Sequence, residues 1–156
     1  MLVTKQAPDF KATAVMADNS FKDISLSDYR GKKVVLFFYP RDNTGVCTQE
    51  AKDFTDSLPE FQKFNTKVFG ISKDSIKSHE NFIATKQLDV PLLSDINGDV
   101  CERFGVWKEK SMYGKTFFGI ERSTFIIDGG GNVVREWRKV KVSGHVDNVL
   151  EAVKDL

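Results

Sequence analysis

Two cysteines, two histidines and one short stretch of chain hold most of the reactive chemistry in this sequence. Phe37-Phe38-Tyr39-Pro40-Arg41-Asp42-Asn43-Thr44-Gly45-Val46-Cys47 carries a thiol from an apolar run into a segment with helical periodicity. An ordinary thiol is mostly protonated at neutral pH, and only the thiolate is a strong nucleophile. A helix N-terminus offers unpaired amide hydrogens and the positive end of the macrodipole, and both favour a thiolate. The same amides can hold an oxygen on which charge develops. Pro40, with fixed φ and no N–H, can shape the turn and shield the sulfur from solvent. Thr44 stands three residues before Cys47, where its hydroxyl could cap the helix or hydrogen-bond the sulfur and a substrate. Cys47 also falls on the apolar face of that helix, and a free cysteine is commonly a small buried hydrophobe. Its place in the first turn, after a proline and a threonine, favours chemistry over packing alone.

Those residues need a scaffold, and the pattern supplies one. Lys33–Tyr39 is a continuous apolar run of strand length, read as a strand buried on both faces and ended by Pro40. From Thr44 onward, Cys47, Ala51, Phe54, Leu58 and Phe61 recur at spacings of four and three, which defines one face of a helix. Pro59, with Ser57 and Glu60 at capping-box spacing, predicts a kink or restart there. Lys67–Ile71 reads as a second buried strand and Asp74–Lys86 as a second helix. Val90–Leu93 is a short extended piece, and Gly98–Phe104 a helical turn. Ser123–Ile127 and Asn132–Trp137 read as strands joined through Asp128-Gly129-Gly130-Gly131, a hairpin signal. His145–Leu156 is an amphipathic helix with Val146, Val149, Leu150 and Val153 inward. Ala12–Val15 and Phe21–Ile24 add a small hairpin. The expected architecture is α/β: one domain over residues 1–156, thioredoxin-like, with a central mixed sheet, helices on both faces and an N-terminal β-hairpin.

Pro40, Thr44 and Cys47 fill the gapped pattern Pro-x-x-x-Thr-x-x-Cys, and the segment resembles the peroxiredoxin signature. Ala7-Pro8-Asp9-Phe10, Ser25 to Lys32, Phe69 to Ser75, Leu92-Leu93-Ser94-Asp95, Phe104-Gly105-Val106-Trp107 and Glu121 to Asp128 extend the resemblance almost end to end. Together they are similar to the peroxiredoxin Q branch, also called bacterioferritin comigratory protein. The resemblance implies that Cys47 is the peroxidatic nucleophile, oxidised to a sulfenic acid by a hydroperoxide. It maps Arg122 onto the family's active-site arginine. If Ser123–Ile127 pairs antiparallel with Lys33–Tyr39, Arg122 lies beside the end carrying Pro40, where its guanidinium can reach the thiolate. Glu50 matches an acidic position of this branch, which implies a role in orienting Arg122, although a carboxylate near a helix start is also an ordinary surface group. Many relatives carry a resolving cysteine five residues after the first, where this chain has Lys52; others place it on the second long helix, which here has none. Cys101 remains, and a buried packing role is expected for it over resolution of Cys47.

The remaining signals exclude more than they add. A net charge of +1 over 156 residues gives no electrostatic reason to expect nucleic acid or an anionic membrane as partner. The first ten residues, MLVTKQAPDF, lack the regions of a signal peptide, and no apolar run approaches membrane-spanning length. Two cysteines without an export signal suggest a reducing compartment, so a cytoplasmic monomer is expected. The histidines, His79 and His145, are far apart in sequence from each other and from Cys47. No zinc spacing exists, no cofactor is implied, and His79 reads as solvated. The glycine run between two strands suits a turn better than a phosphate cradle. Phe117 and Phe118 could line a substrate entrance or simply pack. A thiol–disulfide oxidoreductase would need a cysteine where Thr44 stands. The tryptophan and glutamine motifs of glutathione peroxidases are not apparent, and a redox sensor would oxidise once rather than cycle. The expected activity is reduction of hydrogen peroxide and organic hydroperoxides, with recycling by thioredoxin or another thiol.

Overall fold

The computed structural model describes residues 2–156. Among the described residues nine strands form: β1 Lys11–Val15, β2 Phe21–Ser25, β3 Lys33–Phe38, β4 Thr66–Ser72, β5 Leu92–Ser94, β6 Trp107–Met112, β7 Lys115–Ile120, β8 Ser123–Ile127 and β9 Val133–Arg138. The helices are α1 Gly45–Lys63, α2 Ile76–Lys86, α3 Val100–Arg103 and α4 His145–Lys154, with a 3-10 turn at Leu26–Tyr29. Seven strands make one mixed sheet in the order β2-β1-β5-β4-β3-β8-β9. The apolar run Val34–Phe38 is fully buried because β3 lies inside this sheet, parallel to β4 and antiparallel to β8.

Alternation along β3 sends side chains to two separate cores. Val35, Phe37 and Tyr39 join Ala51, Phe54 and Phe61 of α1, Phe82 and Ile83 of α2, and Val149 and Val153 of α4. Val34, Leu36 and Phe38 join Phe10, Val100, Cys101, Phe104 and Phe125 on the other face. Helices thus cover both faces, as expected, with the three long ones on one side and the short α3 on the other.

Three local expectations change. α1 runs unbroken through Pro59. Phe54 and Phe61, on either side of that proline, bury in one core with ring centroids 6.0 Å apart. Their packing outweighs the roughly 3 kcal/mol that an interior proline costs. α2 begins at Ile76 rather than Asp74, because Ser75 is the N-cap and accepts from the Ser78 amide at 3.1 Å. The β6–β7 hairpin was not legible: its faces are mostly exposed, so no apolar alternation marks it. Tyr113 and Gly114, both at positive φ (52° and 75°), form its two-residue turn.

Candidate active site

Cys47 is the third residue of α1 and only 2% exposed, packed among Tyr39, Ala51 and Phe54. The helix begins there because Thr44 is extended (φ −83°, ψ 154°) and its carbonyl accepts the Thr48 amide at 2.8 Å. Thr44 makes no side-chain cap, which corrects one of the two roles expected for it. Its hydroxyl instead donates to the Arg41 carbonyl at 3.1 Å. With its proton so directed, the oxygen keeps lone pairs free to accept a hydrogen from a bound ligand.

The expected antiparallel pairing of β3 and β8 is present, with Phe38 opposite Ser123. Arg122, one residue before that pair, donates from Nη2 to Cys47 Sγ at 3.2 Å and from Nη1 to Glu50 Oε1 at 2.6 Å. Glu50 is fully buried, so its surface reading is overturned: one turn beyond Cys47, it points inward at the guanidinium. Burial pushes its carboxyl up to about 7, Arg122 pulls the other way, and Asp53 adds to the rise. Burial opposes the charge on Arg122, yet Glu50 and Cys47 together hold that guanidinium above its ordinary value.

Pro40 and Thr44 are exposed and share a cavity of about 420 Å³ with Trp107, Phe117, Phe118 and Ile120. The hairpin that sequence periodicity missed therefore supplies an apolar wall to a cavity bordered by Pro40 and Thr44, and Phe117 and Phe118 line it. A wider depression of about 770 Å³ flanks α1 along Val46, Gln49, Val140 and Val142, but it touches neither Pro40 nor Thr44.

Cys101 is fully buried in the opposite core, where burial first, then Asp95, pushes its thiol far above the ordinary range. His79, read as solvated, differs from expectation. His79 is fully buried, with Nδ1 2.7 Å from Asp42 Oδ2 and Nε2 3.0 Å from the Leu93 carbonyl. The polar run around it hid this, although Phe82 and Ile83, three and four residues on, mark it as facing inward. His145 is buried behind Arg122's strand, with Nε2 2.8 Å from Thr124 Oγ1.

A thiol at a helix N-terminus, an arginine on its sulfur and a thioredoxin-like mixed sheet together are the arrangement of a thiol enzyme. Comparison with known proteins agrees. Residues 3–136 match the AhpC/TSA family. Peroxiredoxin Bcp of Xanthomonas campestris is 51% identical over 130 residues, covering 83% of this chain and 81% of that protein. Peroxiredoxin Bcp of Bacillus subtilis is 42% identical over 99% of this chain and 96% of its own. The solved structure of peroxiredoxin Q from X. campestris superposes with a TM-score of 0.86 at 45% identity, over 94% of this chain and 90% of that one. The chain belongs to the AhpC/TSA family, in its peroxiredoxin Q (Bcp) branch, and is a thiol-dependent peroxidase.

Proposed function

We propose that Cys47 is the peroxidatic nucleophile and that Arg122, Thr44, Pro40 and Glu50 serve it. The observation that carries this reading is the Arg122 Nη2–Cys47 Sγ contact of 3.2 Å at the start of α1. The thiolate attacks the terminal peroxide oxygen. An S–O bond forms as the O–O bond breaks, the sulfur loses two electrons, and the departing oxygen takes a proton to leave as water or an alcohol. Arg122 and the free amides of the first turn stabilise charge on the peroxide oxygens, and the Thr44 oxygen accepts the hydroperoxide hydrogen. Pro40 walls the entrance without a competing N–H, and Glu50 orients Arg122. The apolar wall of Trp107, Phe117 and Phe118 suits organic hydroperoxides as well as hydrogen peroxide.

An external thiol such as thioredoxin then attacks the sulfenic sulfur and expels water. A second thiol releases Cys47 and leaves as the disulfide of the reductant. Residues 1–156 act as one domain and as a monomer, in the cytoplasm, without a cofactor or metal, in defence against peroxide. Neither nucleic acid nor membrane is a partner in this reading; no helix among the described residues is long and apolar enough to cross a membrane. The test is steady-state turnover of hydrogen peroxide driven by dithiothreitol. Cys47→Ser should be folded and inactive, and substantial turnover by that variant would remove Cys47 from the mechanism.

A further inference from the structure

The loop that carries Pro40 and Thr44 is fastened from below by a buried network that the peroxide chemistry does not itself use. Asp42, midway between them, is buried. Its Oδ1 accepts from the Tyr39 hydroxyl at 2.6 Å, and its Oδ2 accepts from the Ser78 hydroxyl at 2.8 Å. His79 Nδ1 lies 2.7 Å from the same Oδ2, and Nε2 lies 3.0 Å from the Leu93 carbonyl. A carbonyl can only accept, so Nε2 carries a hydrogen. Asp42 Oδ2 thus meets α2 through both Ser78 and His79, and the Nδ1 contact closes a set of hydrogen bonds that runs from the loop to the Leu93 carbonyl. Tyr39 remains a phenol donor, because burial and then the Asp42 charge push its ionisation well above the ordinary value. The loop backbone is tied as well: the Asp42 amide donates to Asp74 Oδ2 at 2.8 Å, and Ser72 Oγ donates to that oxygen at 2.7 Å. Ligand atoms of Asp42, Asp74 and His79 lie within 4.8 Å of one another, but these hydrogen bonds already occupy them, and a metal ion would have to displace the set.

We propose that His79 and Asp42 are positioning residues for the peroxide step, a buried hydrogen-bonded pair that bolts the loop between β3 and α1 to α2. The inference rests on Cys47 being the peroxidatic cysteine. Asp42 is two residues from both Pro40 and Thr44, so the bolt sets where the entrance wall and the hydrogen acceptor stand relative to Cys47. A buried polar network in which every member is satisfied fixes one geometry, and losing one partner leaves the others unsatisfied. Cys47 itself is held by α1 and Arg122, and among the described residues neither hydrogen-bonds to the pair.

Two rates separate positioning from reactivity of the sulfur. Oxidation by hydrogen peroxide needs Pro40 and Thr44 in place, whereas alkylation by iodoacetamide needs only an available thiolate. In His79→Ala, the second-order rate constant for peroxide should fall by about 10- to 100-fold, the cost of misplacing reacting groups by about an ångström. Alkylation should be nearly unchanged. Asp42→Asn can donate its amide to a neutral His79 and should recover most of the rate lost in Asp42→Ala. If His79→Ala does not fold cooperatively, Ser78→Ala removes one bond to the same oxygen and should slow the peroxide step roughly threefold, as loss of one ordinary hydrogen bond would. Unchanged peroxide rates, or peroxide and alkylation rates falling in parallel, would overturn the inference. A folded Cys47→Ser protein that still turns over would instead sink the reading on which it rests.

Discussion

Glu50 Oε2 is buried and has no hydrogen-bond partner among the described residues, while Oε1 holds Arg122. That lopsided setting, together with a carboxyl raised by burial to about 7, makes the charge on Glu50 sensitive to pH near neutrality. The sign for stability follows from the raised value. The contribution is full below the ordinary 4.5 and is lost as pH rises through about 7, because the folded site disfavours the anion. For catalysis the demand is opposite, since ionised Glu50 gives Arg122 its charge-assisted bond. We expect the stopped-flow rate constant for hydrogen peroxide to drop as pH falls through about 7. Glu50→Gln should lose that inflection and run roughly tenfold slower on the alkaline side, the effect of about 1.4 kcal/mol. The same inflection in both proteins would assign it to another group. At this scale the sequence was legible where a motif fixes spacing, as for Pro40, Thr44 and Cys47. Arg122 needed both the resemblance and the strand register. The burial of Glu50 was not legible, because a charged side chain on an inward helix position is indistinguishable by type from one facing water, and that of His79 was legible only through its spacing to Phe82 and Ile83.

α4 begins at a residue that responds to acid in the other direction. His145 lies in the first turn, edge-on to Phe54 and Trp137, with centroids 6.4 and 5.7 Å away. Burial and then the Arg122 charge lower its titration from 6.5 to about 4. A depressed base contributes stability above its ordinary value and loses it as pH falls through the folded one. The window is therefore about 6.5 down to 4, and the loss is on the order of 2 kcal/mol. His145→Gln keeps a polar partner for Thr124 but cannot charge. Urea midpoints at pH 7.5 and 4.5 should drop less in this variant than in the parent, and the contribution of Glu50 cancels in the comparison. An equal drop in both would place the acid sensitivity elsewhere. Elements were legible where periodicity met burial: β3, β4, β8 and the face of α1 follow the sequence pattern closely. Pro59 misled because local propensity was read without the aromatic packing that overrides it. β6 and β7 left no trace because both their faces look outward.

At the scale of the whole molecule, the sheet stands between the two thiols. Cys47 packs with the side chains β3 sends to one face, and Cys101 with those it sends to the other. Layers packed face to face are about 10 Å apart, and a disulfide needs Cα atoms within about 7 Å. Peptide mapping under non-reducing conditions, after one equivalent of peroxide, should therefore find no Cys47–Cys101 bridge. Excess peroxide without thiol should carry Cys47 to the sulfinic acid. Quantitative bridging, with thioredoxin-driven turnover lost in Cys101→Ser, would replace this picture with a two-cysteine cycle. The division into two cores follows from alternation along β3 and could be read from the sequence. Which core receives Cys101 could not, because four residues of α3 carry too little pattern to show which way they face.

In the proposed one-cysteine cycle, the wall between the cysteines also sets how long a molecule survives. On a one-cysteine cycle, each sulfenic acid is a fork: capture by an outside thiol restores the enzyme, and capture by a second peroxide retires it. In that cycle no second thiol of the chain biases the choice. The mean number of cycles before retirement is then a ratio of two supplies, thiol over peroxide, weighted by two rate constants. Such a protein behaves as a fuse, whose surviving fraction records how far oxidant has outrun reductant around it.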